Sequence, residues 1–110
     1  METVTASLLW SDAEGDVLTL FVEPLSASWE ARSLDQEIYL LDALDDNEEK
    51  VGRLAGIRIV GFLTFDRWED LPNLPLHWHV EGYDPLPLAE LLRRVQRALL
   101  QKTGRAVAAR

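Results

Sequence analysis

Only one segment of this 110-residue chain has the periodicity of a helix, and it comes last in the sequence. Across residues 87–102, apolar residues recur every three or four positions and fall on one stripe, with charged residues opposite. Pro87 suits the first turn of a helix, and Gly104 suits the position just past its end. An amphipathic helix must bury its stripe, so the preceding segments have to supply an apolar surface.

The first 62 residues have strand patterns instead. Residues 6–10 and 17–22 alternate in polarity, and the turn residues at 12–15 between them predict a β-hairpin. Both alternating sets within 17–22 are largely apolar, which predicts that this strand is covered on both faces. Further strands are predicted near residues 27–32, 38–41 and 51–62, with a short sixth at 76–81 after a loop over 66–75.

Strands that follow one another through short turns favour an antiparallel arrangement. The predicted fold is therefore α+β: an antiparallel β-meander of about five to six strands with one C-terminal amphipathic helix packed on the sheet. The chain has the common size of a single domain. We assign residues 1–104 to that domain and residues 105–110 to a flexible C-terminal tail.

The chain has no cysteine, which excludes a disulfide framework, a thiolate nucleophile and Cys-ligated zinc. Its start lacks the basic region and long apolar run of a signal peptide. No apolar stretch approaches the roughly 20 residues that a membrane span needs. These features predict a cytoplasmic protein without membrane association.

Charge is spread unevenly over the chain, whose net charge is −8. Residues 91–110 carry six basic residues and no acid, whereas residues 1–90 carry 5 basic and 19 acidic residues. Contacts to phosphate groups need a positive surface, so broad nucleic-acid binding is disfavoured for this acidic body. The basic C-terminal region leaves a smaller nucleic-acid contact open.

His77, His79 and Glu81 form the most suggestive chemical group. On a strand these alternate positions point to one face, and two imidazoles with a carboxylate suit zinc or another divalent metal. Neighbouring acids can add ligands or a general base: Asp66, Glu69 and Asp70. The competing interpretation is the polar face of an edge strand, because a single His-x-His pattern has little specificity.

Four further residues are candidates for contact with a partner. Trp68 lies between charged residues in a loop and can anchor a partner, although packing within its own chain is the commoner role. Arg93, Arg94 and Arg97 lie on the polar side of the predicted helix and can contact phosphates. A solvated face with a Glu90–Arg94 pair explains the same arginines.

The hairpin carries the spaced motif Asp12-x-x-x-Asp16-x-Leu18-x-Leu20, and a later segment reads Gly56-Ile57-Arg58-Ile59. Together they resemble a family of short uncharacterised prokaryotic proteins, a domain of unknown function, over about residues 6–62. Ser11, Thr19 and Arg58 stand where that family has Tyr, Tyr and Glu. The resemblance implies a small β-meander and brings no established activity or catalytic residues.

Two hypotheses of different classes follow. The first is a non-enzymatic protein–protein interaction module acting as a homodimer, because a short sheet has open edges that a second copy can cover. The second is a divalent-metal-dependent hydrolase centred on His77, His79 and Glu81, in which an open metal position generates hydroxide. A weaker third is nucleic-acid contact through the arginines of the helix.

Overall fold

The computed structural model describes residues 2–13 and 15–104, which form seven strands, two short 3-10 turns and one helix. The strands are β1 (Glu2–Ser11), β2 (Val17–Val22), β3 (Trp29–Ser33), β4 (Ile38–Leu44), β5 (Lys50–Val60), β6 (Leu76–His79) and β7 (Leu86–Pro87). The 3-10 turns span Phe62–Thr64 and Trp68–Asp70, and the helix α1 spans Leu88–Thr103. The predicted tail at 105–110 lies outside the described residues.

All seven strands of the described region belong to one sheet, in the order β3-β4-β5-β2-β1-β6-β7. Neighbouring strands are antiparallel except β1 and β6, which run parallel. The α+β class is confirmed, but the prediction of a purely antiparallel sheet of five to six strands is wrong. The irregular segment between β5 and β6 carries the chain past β1, so β6 returns in the same direction as β1. The two-residue β7 is too short to produce an alternating pattern.

One face of the sheet holds the main core. Central strands contribute fully buried side chains such as Leu20 and Ile57, which sit opposite each other in the β2–β5 register. The helix adds Leu91, Leu92 and Val95 from its apolar stripe, as its periodicity predicts. Burying each such side chain stabilises the fold by about 1.5–3 kcal/mol before entropy is counted.

A glutamine fixes the position of α1 on this core. The Gln96 side-chain amide donates to the backbone oxygens of Phe62 and Phe65, at 2.8 and 2.7 Å. These carbonyls belong to the first 3-10 turn and the residue after it, where backbone groups lack strand partners. The single C-terminal helix is therefore attached to the end of β5 as well as to the sheet.

The opposite face of the sheet has no second layer among the described residues. Its small cluster of buried residues is Leu41, Ala43 and Ala55, against which Phe21 and Trp29 pack. Side chains of the sheet itself cover β2 on this side, where Thr19 is buried and Phe21 packs against the small cluster. Phe21 and Trp29 lie 6.1 Å apart, centroid to centroid. Within the described part of the chain, no helix is long and apolar enough to cross a membrane.

Candidate functional site

The predicted metal triad is only partly brought together. β6 ends at His79, so Glu81 lies in the turn that follows rather than on the strand. His79 and Glu81 border one cleft with Glu23, whereas His77 lies opposite Thr3 and Pro87. Nowhere in residues 2–13 and 15–104 do three His, Asp or Glu side chains form a group that could hold a metal ion. The metal site stays a prediction without geometric support.

Of the acids predicted to assist this site, Asp66 is exposed, Glu69 borders a separate groove and Asp70 is ion-paired. Asp70 forms an ion pair with Arg67 at 3.5 Å, and Arg67 also binds Asp35 and Glu37 at 2.9 Å each. The Arg67 hydrogen bond, together with the backbone N–H of Gln36, lowers the pKa of Asp35 from its ordinary value. Arg67 therefore ties the loop between β3 and β4 to the second 3-10 turn.

Trp68 packs within its own chain. Its ring meets Phe65 edge-on with centroids 5.0 Å apart, and the Arg93 guanidinium lies 5.6 Å from the Trp68 centroid. Such aromatic and cation–π contacts stabilise by about 0.5–1.5 kcal/mol each. Arg94 pairs with Glu90 at 3.1 Å, one helical turn away. These contacts favour the structural interpretation of Trp68 and of two of the arginines.

Arg97 shares a shallow groove of about 460 Å³ with Arg93 and Arg94. Tyr83 and Gln101 also border that groove. All three arginines are exposed, so the groove is open to solvent. Contact with a nucleic acid through this face stays a prediction.

The free edge of β3 is the feature that stands out among the strands. β3 pairs with β4 alone among the described residues, and it forms one end of the sheet. The Leu44 N–H donates to the Ser28 oxygen at 3.0 Å. In an antiparallel pair the hydrogen-bonded positions alternate, so the odd-numbered residues of β3 point their N–H and C=O groups away from β4. These residues are Trp29, Ala31 and Ser33.

Charged side chains alternate with these open backbone positions. Glu30 lies directly opposite Asp42 in the β3–β4 register, and like charges in this arrangement repel. Arg32 at 3.1 Å and Lys50 at 3.6 Å neutralise Asp42. Glu30 has no ion-pair partner within the described ranges. The edge thus presents one unpaired carboxylate two residues from a guanidinium.

An aromatic cluster adjoins this edge on the face without a helix. The Arg58 guanidinium lies 4.9 Å from the Trp29 ring centroid, and Arg58 Nε donates to Thr19 Oγ1 at 3.1 Å. Trp29 is half-buried, so part of its ring stays accessible beside the open backbone of β3. Trp and Arg are among the residues that most often dominate binding energy at protein interfaces.

The other end of the sheet contains a cleft of about 650 Å³. It lies beside the middle of β1, from Thr5 to Leu8, between the turn over residues 80–83 and one side of α1. Leu8, Val95 and Leu99 give it apolar walls, and Glu23 and Glu81 give it two carboxylates. Its volume is within the range of ligand-binding pockets in proteins.

No family model, curated protein or solved structure matches this chain. The resemblance over residues 6–62 therefore stays a prediction, and function has to be argued from geometry.

Sequence reasoning missed the β3 edge as a candidate site. Its signal was present in Glu30 and Arg32, two opposite charges at alternate positions of a short strand. Only the strand order makes that edge free.

Proposed function

We propose that this protein is a non-enzymatic protein–protein interaction module that acts as a homodimer through antiparallel pairing of two β3 edges. The supporting observation is the outward direction of the backbone groups of Trp29, Ala31 and Ser33. An exposed strand edge with several unpaired N–H and C=O groups is a template for another strand. A second copy supplies a strand of matching length.

The hydrogen-bond pattern restricts the register. A two-fold axis through Ala31 pairs Ala31 with the partner's Ala31, and Trp29 with the partner's Ser33. In this register every outward N–H of β3 meets an outward C=O of the partner. A register that places an odd-numbered residue opposite an even-numbered residue of the partner cannot form these hydrogen bonds. The even-numbered residues direct their N–H and C=O groups to β4 instead. The small Ala31 side chain also leaves room on the axis.

Charge selects among the registers that remain. Centring the axis on Ala31 places Glu30 opposite the partner's Arg32, twice. Centring it on Glu30 opposes two carboxylates, and centring it on Arg32 opposes two guanidinium groups. Opposite charges across a strand pair stabilise by about 0.2–1 kcal/mol and like charges destabilise. The unpaired Glu30 thus acquires a partner only in the favoured register.

Charge reversal tests this interface directly. Glu30→Arg places two guanidinium groups opposite each other and should weaken the dimer at least about tenfold. The double variant Glu30→Arg/Arg32→Glu restores opposite charges and should recover the dimer. Sedimentation equilibrium measures both against wild type, whose dimer mass is twice 12.5 kDa.

A second variant tests the backbone pairing of the two β3 strands without changing any charge. Ala31→Pro removes an N–H that points to the open edge and leaves the β4 ladder intact, so it should dissociate the dimer without unfolding the chain. Wild type that stays monomeric at millimolar concentration would overturn the proposal. A double variant no tighter than Glu30→Arg would overturn the register.

Metal-dependent hydrolysis is the competing hypothesis. Elemental analysis of untagged protein purified without chelator distinguishes the two. Near-stoichiometric zinc or manganese that disappears in His79→Ala would favour the hydrolase. Dimerisation sensitive to Glu30→Arg would favour the interaction module.

A further inference from the structure

β1 continues well beyond its last neighbour on one side. It has ten residues, and β6 pairs only with the first four of them, Glu2 to Thr5. Beyond that point β1 pairs only with β2 among the described residues. The 650 Å³ cleft borders β1 from Thr5 to Leu8 and the turn that follows β6. Beyond Thr5, β1 therefore has an open edge among the described residues, and the first part of that edge borders the cleft.

The backbone of β1 presents unpaired groups to this gap. The Glu23 N–H donates to the Thr5 oxygen at 2.8 Å, so Thr5, and by alternation Ser7 and Leu9, direct their backbone groups to β2. Leu8 and Trp10 direct their N–H and C=O groups the other way. No described residue pairs with them there. Two donors and two acceptors at alternate positions match the spacing of an added strand.

The side chains of the cleft specify what such a strand carries. Leu8, Val95 and Leu99 line the side next to the helix, where an apolar side chain finds cover. Glu23 and Glu81 supply two carboxylates, and no Lys or Arg borders this cleft among the described residues. A strand whose residues alternate between apolar and basic meets both requirements.

We infer that this cleft and the open edge of β1 beside it bind an extended peptide segment with alternating apolar and basic side chains, which pairs with Leu8 and Trp10 as an added strand. This mode of recognition takes affinity from main-chain hydrogen bonds and specificity from alternate side chains. The site is separate from the β3 edge, since β4, β5 and β2 lie between β3 and β1. It goes beyond the proposed homodimer and does not require it.

Amide exchange measured by NMR on the full chain tests the pairing. The probe is the peptide acetyl-Lys-Val-Lys-Val-Lys-amide, with acetyl-Glu-Val-Glu-Val-Glu-amide as its matched control. We expect the lysine peptide to slow exchange at the Leu8 and Trp10 amides at least tenfold and to leave Ser7 and Leu9 unchanged. Equal binding of the glutamate peptide, or no binding at millimolar concentration, would overturn the inference.

N-methylation of the probe distinguishes an added strand from a loosely held cation. Methyl groups on one alternating set of peptide nitrogens should abolish binding, and methyl groups on the other set should not. Ala98→Trp narrows the cleft and should weaken binding at least tenfold, whereas Gln101→Trp, on the same helix outside the cleft, should not. Both methylated sets acting alike, or both tryptophan variants acting alike, would overturn the inference.

Discussion

At the scale of single residues, Asp16 connects the first hairpin to the end of β5. Its carboxylate accepts from Trp10 Nε1 and from the Leu63 N–H, each at 2.7 Å. Its backbone oxygen accepts from the Gly61 and Phe62 N–H groups, at 2.9 and 3.1 Å. The residue holds φ at 63°, a region that Asp and Asn enter more readily than other side chains. Asp16 therefore holds the first hairpin against the segment that follows β5.

Asp16→Asn tests this role without changing shape or backbone preference. An amide keeps one acceptor oxygen and turns the other into a donor, so Trp10 Nε1 or the Leu63 N–H loses its partner. We expect a loss of about 1–3 kcal/mol in the free energy of unfolding, measured by urea denaturation. Asp66→Asn, at an exposed position, should change it by less than about 0.5 kcal/mol. Equal effects of the two variants would contradict the assignment.

Ion pairs at Asp35 and Asp42 predict an acid-sensitive fold. Hydrogen bonds from Arg67 and from Arg32 lower the pKa of Asp35 and of Asp42, respectively. A folded pKa below the unfolded value of about 3.9 means that the stabilisation is fully present above that value. It is lost as the pH falls from there through the folded pKa.

Arg67→Met removes the ion pair that makes the contribution of Asp35 to stability depend on pH. Between pH 6 and pH 3, the variant should lose less unfolding free energy than wild type does, because Asp35 loses the hydrogen bond that contributes most to its lowered pKa. Urea denaturation at the two pH values measures the difference, with Arg97→Met as the exposed control. A variant as acid-sensitive as wild type would show that the Asp35 pair contributes nothing to this dependence.

At the scale of elements, the close approach of β2 and β5 depends on Gly56. A Cβ at this position would collide with the backbone carbonyl of Leu20 in the neighbouring strand. Because backbone cannot move aside as a flexible side chain can, any substitution has to shift one of the two strands. These strands carry the centre of the main core, including Leu18 and Ile59.

Gly56→Ala should therefore destabilise the fold by about 3 kcal/mol or more, measured by urea denaturation. Gly82→Ala is the matched control, since Gly82 has φ at 93° but no atom near its Cβ position. That variant should cost about 1–2 kcal/mol from backbone strain alone. If the control costs as much as Gly56→Ala, steric contact between the strands is not what requires glycine at 56.

At the scale of the whole molecule, shape and charge bear on association. The described part of the chain extends 47 × 29 × 23 Å, with a radius of gyration of 14.1 Å. A compact domain of this length has a radius of gyration of about 13 Å, so the molecule is somewhat elongated. Each protomer carries a net charge of −8, so two protomers repel each other at long range.

Salt should strengthen the proposed dimer. Raising ionic strength from about 0.01 M to about 0.1 M shortens the screening length from about 30 Å to about 10 Å. The shorter screening length weakens the long-range repulsion between the two protomers more than it weakens the close attraction between Glu30 and the partner's Arg32. Sedimentation equilibrium should show several-fold tighter dimerisation, in wild type and in Glu30→Arg/Arg32→Glu alike. A dimer that salt weakens would mean that the contact charges dominate.

Local patterns predicted much of the secondary structure. The helix was predicted at 87–102 and extends over Leu88–Thr103, because its stripe and end residues act within a few positions. The turn at 12–15 and the strand β2 were predicted for the same reason. β1 was placed at 6–10 but begins at Glu2, since its first residues pair with β6, about seventy residues later.

Sequence alone therefore determined which segments form strands or a helix and their approximate bounds, because these depend on residues close together in the chain. It also determined the uneven distribution of charge along the chain. Only the tertiary structure decided the strand order, the parallel β1–β6 pair and, among the described residues, the open edges of β3 and of β1 beyond Thr5. It also decided that Asp70 pairs with Arg67 and that Glu81 lies beyond the end of β6. Strand pairing joins residues far apart in the chain, and the period of a strand carries no information about which strand lies beside it.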